Sequence, residues 1–320
     1  MATYTHVPDD ELRAFVAHYD LGVVASCKGI AEGVENSNYL LRTDRGAYLL
    51  TLYEKRVAPA DLPFFFGLME HLTRSGITCP VPVRARDGQA LHQLCGRLAA
   101  IVTFVDGISP HRIEPHHCAE IGRTLAKLHL ASINFAMTRP NRLSVIGWRS
   151  LYSVCREHAD QVCFGIADEL AEELELLEAE WPRNLPEGII HADLFPDNVL
   201  FRGSQVSGVV DFYFACNDFL AYDIAICINA WCFEHDGAFN VTKAMLLLSN
   251  YRSVRPMGAD EIDALPLLAR GSALRFLLTR LHDSLNPTPG ALVRPRDPLE
   301  YVQKLRFHRR TDSPTTYGLG

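Results

Sequence analysis

Gly188-Ile189-Ile190-His191-Ala192-Asp193-Leu194-Phe195-Pro196-Asp197-Asn198 decides how this chain is read, together with Val209-Val210-Asp211 thirteen residues beyond Asn198. An apolar strand delivers a His and an Asp into a short loop. An amide closes the loop, and a second apolar strand ends in another acid. Transfer of a phosphoryl group from a magnesium nucleotide needs these groups close together. One carboxylate accepts a hydroxyl proton, while an amide and a second carboxylate hold the metal. Asp, Pro and Asn are also ordinary turn formers, and a surface loop explains Pro196-Asp197-Asn198 by itself. It does not explain His191 and Asp193 set directly after a strand, nor the acid at the end of the next one.

The chain has 320 residues, enough for two domains. Hydrophobic residues make up 48% and charged residues 22%, which are globular values. A net charge of −7 argues against a general nucleic-acid binder, and an anionic nucleotide then needs a locally positive or amide-rich pocket. The Met1 end carries Asp9, Asp10 and Glu11 and does not read as a signal peptide. No apolar run reaches membrane-spanning length, so a soluble, cytoplasmic protein without membrane or nucleic-acid partners is expected. The nine cysteines include no C-x-x-C, which fits free and mostly buried thiols. His116-His117-Cys118 lacks a second ligand cluster and reads as the start of a helix rather than a metal site.

Outward from the loop, the pattern divides near residue 105. Residues 1–105 read as a helix over 9–19, a hairpin over 38–42 and 47–53, a helix over 61–75 and an apolar strand over 98–105. Residues 106–320 read as mostly helical, with helices at 119–130, 169–180, 221–231, 241–251 and 264–285. Short strands at 188–191, 199–201 and 206–211 flank the chemistry. The acidic 169–180 helix reads as a solvated outer face, and the Pro- and Arg-rich last thirty residues as loose at their end. The order is α+β, a small antiparallel-sheet lobe followed by a larger, mainly helical one.

The loop at 193–198, the strand end Val209-Val210-Asp211 and Tyr222-Asp223-Ile224-Ala225 resemble the aminoglycoside-phosphotransferase and choline-kinase group. Residues 28–39, 50–56 and 61–65 resemble its bacterial homoserine kinase branch, and the likeness covers roughly residues 4–309. The resemblance implies a bilobal protein-kinase-like fold, ATP and Mg2+ as cofactors, and phosphorylation of the L-homoserine side-chain hydroxyl for threonine biosynthesis, by a monomer or homodimer. It implies that Asp193 orients or deprotonates the hydroxyl, that Asn198 and Asp211 hold magnesium, and that His191 braces the loop. Asp223, a costly charge on an apolar helix, is expected to cap backbone amides or to meet the substrate amine, for which Asp218 is also a candidate. Gly29 and Gly33 would let phosphates approach the backbone, with Asn36, Ser37 and Asn38 as donors, although a plain turn looks similar. Adenine would lie between the lobes against residues 102–105, near Ile101, Val102 and Phe104. Arg275 and Arg280 are the candidates for the substrate carboxylate.

The pattern departs from the group in one place. Thr51 stands where a strand cation usually reaches the phosphates, which leaves Lys55 or Lys28 as substitutes and Glu70 as the acid on the next helix. Ala192 stands where protein kinases commonly carry an Arg that binds a phosphorylated activation loop. Only eleven residues separate Asp211 from Asp223, too few for a peptide platform, so a small hydroxyl acceptor is favoured. Choline, ethanolamine or an aminoglycoside are the alternative acceptors. A catalytically silent nucleotide-binding module is the alternative from another class, and a Cys-His hydrolase finds no nucleophile turn.

Overall fold

A computed structural model describes residues 5–30, 36–54, 57–286 and 296–319. The chain divides at Asp106/Gly107 into two compact units.

In the first unit, helix α1 (Asp9–Val16) precedes β1 (Val24–Gly29), β2 (Asn36–Thr43) and β3 (Gly46–Tyr53). Helix α2 (Leu62–Arg74), β4 (His92–Leu94) and β5 (Arg97–Thr103) follow. The sheet order is β1-β2-β3-β5-β4, with every neighbour antiparallel. Side chains alternate across a strand, so Leu50 and Leu52 of β3 share one face with Ile101 and Ala99, their partners on β5. That face packs on Leu12, Phe15 and Val16 of α1. Strand β5 ends at Thr103, two residues earlier than expected, where the Thr103 amide donates to Val81 O (2.9 Å).

The second unit contains α3 (Pro115–Ala131), α4 (Val145–Cys155) and α5 (Ile166–Glu180), then β6 (Glu187–Ile190), β7 (Val199–Arg202), β8 (Gln205–Val209) and β9 (Cys216–Phe219). Helices α6 (Leu220–Trp231), α7 (Val241–Val254), α8 (Ala259–Leu285) and α9 (Leu299–His308) complete it. Strand β6 pairs antiparallel with β9, and β7 with β8. Helices α3 and α7 approach closely at Gly122, where a Cβ would lie 2.1 Å from Leu247 O. Helix α6 is buried on almost every side.

Two expectations are corrected. The acidic helix α5 is not wholly solvated, because Glu173 is fully buried. It accepts from Arg270 Nε (2.6 Å) and Nη2 (2.7 Å) and from Arg309 Nε (2.7 Å). The end of the chain is not loose as far as residue 319. Tyr317 is buried with its hydroxyl 2.8 Å from His308 Nδ1. The nine cysteines are free thiols, six of them buried. His117 Nδ1 accepts from the Glu114 amide (2.9 Å) at the start of α3, and no metal-binding group is found among the described residues. No helix among them is long and apolar enough to cross a membrane.

Candidate catalytic centre

Strand β6 ends at Ile190, and the backbone turns sharply at Ala192, whose φ is +61°. A left-handed conformation costs a non-glycine residue about 1–3 kcal/mol and persists only where the surroundings fix it. Here they do. The Ala192 amide donates to Asp223 Oδ1 (3.0 Å), and its carbonyl accepts from Arg275 Nη1 (3.1 Å). The neighbouring His191 amide donates to Asp223 Oδ2 (2.7 Å). Both carboxylate oxygens of Asp223 are thus spent on the loop backbone, and the side chain is fully buried. Burial alone would raise its pKa. The His129 ring (Nε2 to Oδ2, 3.2 Å) and the loop amide outweigh that and hold it below the usual carboxylate range. The reading of Asp223 as a ligand for the substrate amine is therefore corrected: no oxygen is presented to a ligand.

The turn aims Asp193 into a small polar cluster. Asn198 Nδ2 donates to Asp193 O (2.8 Å) and to Asp193 Oδ2 (3.0 Å). Its backbone carbonyl accepts from the Val210 amide (2.9 Å), which brings the end of β8 alongside. Asp211 follows at φ +61°, the other left-handed residue of the centre, with an exposed side chain. His191 is fully buried, and burial lowers its pKa, favouring the neutral imidazole. Its Nε2 donates to Val210 O (3.1 Å), tying the two acidic segments together. Burial raises the pKa of Asp193, and Arg275, His191, Arg296 and the Asn198 amide oppose the rise. Arg275, only 4% exposed, lies 4.0 Å from Asp193 Oδ1, with its guanidinium 3.8 Å from the Phe276 ring centroid.

Arg280 is brought elsewhere. Its Nη1 donates to Asp297 O (3.0 Å) and Glu300 Oε2 (2.6 Å), and it stacks over Tyr301. Its role as a carboxylate ligand is corrected, since it joins α8 to the segment that starts α9.

In the first unit, Gly29 pairs with Tyr39 and has ordinary room for a Cβ. Gly33 and Lys55 lie outside the described residues. Asn36 is buried opposite Tyr53. Ser37 is corrected as a phosphate donor. It is 1% exposed, its hydroxyl donates to Glu54 Oε1 (2.7 Å), and its oxygen accepts from the Thr5 amide (3.1 Å). Thr51 donates to Asn38 Oδ1 (2.8 Å). Glu70 pairs with Arg84 (2.7 Å), and Lys28 is exposed on β1. Val102 is a buried residue of β5, while Phe104 just beyond the strand is 46% exposed. Neither Phe104 nor Val105 hydrogen-bonds to another described residue.

His129 and Arg296 escaped the sequence reading. His129 lies inside a helical stripe with nothing local to mark it. Arg296 lies in the tail read as loose.

A small antiparallel sheet, a helical unit and an Asp-Asn-Asp cluster in the turns that follow β6 and β8 define a kinase-type phosphotransferase. The chain belongs to the phosphotransferase enzyme family, whose sequence pattern matches residues 26–257. It is 60% identical over 325 residues to a homoserine kinase of Paramagnetospirillum magneticum, covering 100% of both chains. It is 61% identical over 319 residues to one of Rhodospirillum rubrum, covering 100% of this chain and 99% of that one. Among solved structures it resembles amicoumacin kinase hAmiN in complex with AMP-PNP and Ca2+ (TM-score 0.73, 12% identity, 97% and 96% of the two chains). It also resembles choline kinase of Cryptosporidium parvum (TM-score 0.67, 15% identity, 95% of each). The kinase-like α+β fold expected from the sequence is the fold found.

Proposed function

We propose that the chain transfers the γ-phosphoryl group of ATP to the side-chain hydroxyl of L-homoserine, giving O-phospho-L-homoserine for threonine synthesis. The observation that carries the reading is the hydrogen-bonded Asp193–Asn198 pair, joined through Val210 to Asp211, in a chain 60% identical over its full length to homoserine kinases. Asp193 accepts the hydroxyl proton as the oxygen attacks phosphorus. Its raised pKa suits a group that must take up a proton and release it again. Asn198 spends its Nδ2 on Asp193, which leaves Oδ1 to face a cation beside the Asp211 carboxylate. These are hard oxygen donors of the kind Mg2+ prefers. Bound there, Mg2+ would neutralise phosphate charge. His191, neutral and donating to Val210 O, keeps the two segments in register and moves no proton.

The acceptor is a zwitterion. Arg275 has Nη1 on Ala192 O, while its Nε and Nη2 make no hydrogen bond to a described residue and are offered to the carboxylate. Asp218 accepts from Asn141 Nδ2 (2.7 Å) and the Phe219 amide (2.7 Å) and retains acceptor positions for the ammonium. Adenine would lie at Phe104 and Val105. Thr51 favours one second reading, a nucleotide-binding module that transfers nothing.

The test is ADP release with magnesium-ATP and L-homoserine, choline, kanamycin, L-serine or no acceptor. Turnover with homoserine alone is expected, and Asp193→Asn should lower it by on the order of 10²–10⁴. Preference for another acceptor refutes the substrate. ATP binding without transfer supports the silent module.

A further inference from the structure

Arg296 has no part in the reading above. We propose that Arg296 is a catalytic cation that contacts the phosphoryl group in transfer. The proposal rests on the kinase reading of Asp193, Asn198 and Asp211.

The reaction creates the need. The γ-phosphorus–oxygen bond to ADP breaks, a bond to the acceptor oxygen forms, and the hydroxyl proton goes to Asp193. Negative charge meanwhile spreads over the three remaining oxygens of the phosphoryl group, and a fixed cation beside them stabilises that state. Arg296 supplies charge only and takes no proton. Two guanidiniums stand at the catalytic loop, Arg275 at 4.0 Å from Asp193 Oδ1 and Arg296 paired with Asp197. Arg275 is buried, holds Ala192 O through Nη1 and is assigned to the acceptor carboxylate through its other nitrogens. Arg296 has an exposed side chain (55%). It ion-pairs with Asp197, next to Asn198 at the end of the catalytic loop, and its guanidinium lies 5.6 Å from the ring centroid of Phe195.

The fold spends heavily on placing this segment. One residue after Arg296, Asp297 O accepts from Arg280 Nη1 (3.0 Å), and the same nitrogen reaches Glu300 Oε2 (2.6 Å). Lys304 Nζ donates to Glu300 Oε1 (2.5 Å) and to Asn229 O of α6 (2.7 Å). Arg280 and Lys304 are 7% and 4% exposed, and burying two cations is costly unless each is closely paired. The exposed Arg296–Asp197 pair contributes little to stability on its own, so it does not account for a buried clamp of this size. A cation that must be held at the catalytic loop does. Asp197 then serves as the resting partner from which the guanidinium swings to the phosphate.

The experiment compares wild type, Arg296→Ala, Arg296→Lys and Asp197→Asn by steady-state kinetics and thermal melting. Arg296→Ala should lose on the order of 10² in kcat, with the KM for homoserine within about twofold. Ethylguanidinium should restore part of the loss, and Arg296→Lys should retain more than Ala. Asp197→Asn should lose at least about fivefold less kcat than Arg296→Ala, because it removes the ion pair and keeps the cation. An Arg296→Ala enzyme within about threefold of wild type overturns the proposal. So does an equal loss in Asp197→Asn, or a loss wholly in the homoserine KM. If wild type phosphorylates a different acceptor, the substrate reading fails and the Arg296 comparison is read on that acceptor. Transfer to no acceptor overturns both.

Discussion

Asp223→Asn is the substitution that asks most of the centre. The Asp223 carboxylate, fully buried, accepts two backbone amides at 2.7 and 3.0 Å and the His129 ring at 3.2 Å. A hydrogen bond to a charged acceptor contributes about 1.5–3 kcal/mol, and a buried donor left unpaired costs about 1–3 kcal/mol. Asparagine keeps one oxygen and turns an NH2 group toward one of the loop amides. One charge-assisted bond is lost and one buried N–H is orphaned, a total of about 3–5 kcal/mol. For a unit of roughly 200 residues this corresponds to a melting shift of roughly 6–20 °C, read by far-UV circular dichroism. The kinetic effect arises separately. Ala192 at φ +61° is held by the same carboxylate, so its release lets the loop relax and displaces Asp193. A displacement of about 1 Å costs roughly 10²-fold in turnover. The sign against pH follows from the lowered pKa: wild type holds this stability above the usual Asp range and loses it as the pH falls toward the depressed value, and Asp223→Asn lacks that loss. A melting shift under about 2 °C with kcat within about threefold would refute the reasoning.

Gly122→Ala should destabilise by about 1–3 kcal/mol by urea titration, despite a gain of about 1 kcal/mol in helix propensity, because the new methyl meets the Leu247 carbonyl rather than a movable side chain. His308, fully buried between Tyr317 and Asn229, has its pKa lowered to about 3 by burial, with Lys304 adding to the effect. The unfolded chain takes up that proton near pH 6.5 and the folded one does not, so stability is present above about pH 6.5 and is lost as the pH falls toward 3. At about pH 4.5 the loss from this residue should be about 2–3 kcal/mol, and a His308→Gln protein with the same acid slope as wild type would rule it out. Glu300 is held at about pH 2; burial opposes this, and Lys304 and Arg280 outweigh it. Its stabilisation is lost only as the pH falls through that value, and with 48% of the side chain exposed it should amount to no more than about 1 kcal/mol in a wild-type against Glu300→Gln melt.

What the sequence disclosed tracks how local each interaction is. The β6 turn, Asn198 and the β8 end lie within about twenty residues, and their strands appear within one or two residues of their expected bounds. Alternation and helical spacing located α2, β2, β3, β5, α3, α5, α6, α7 and α8 for the same reason, while β1, β4, α4, β9 and α9 went unread. Partnerships across the chain left no such trace. Glu173 reads as one more acid on a solvated helix until Arg270 and Arg309 are found beside it. Ser37 looks like a phosphate donor until Glu54 and Thr5 take its hydroxyl. Arg280 has an ordinary helical position, and only the chain beyond residue 295 shows what it holds. The Pro- and Arg-rich composition of the tail suggested looseness, and it is fixed by Tyr317 bonded to His308 and by His308 and Lys304 bonded to Asn229 of α6, contacts that composition cannot express.

The catalytic loop is held chiefly through its main chain. The Ala192 amide and carbonyl are taken by Asp223 and Arg275, Leu194 O by Trp231 Nε1 (2.7 Å), and Asn198 O by the Val210 amide. None of these contacts uses a loop side chain. Position 192 can therefore be alanine, a residue that adds nothing at a strained backbone angle, because the strain is offset from α6 and α8. Only Asp193 and Asn198 must keep their side chains for the chemistry, and His191 must keep its ring for the link to Val210. The remaining requirement lies outside the loop, on helices α6 and α8, where Asp223 and Arg275 form the socket that holds it.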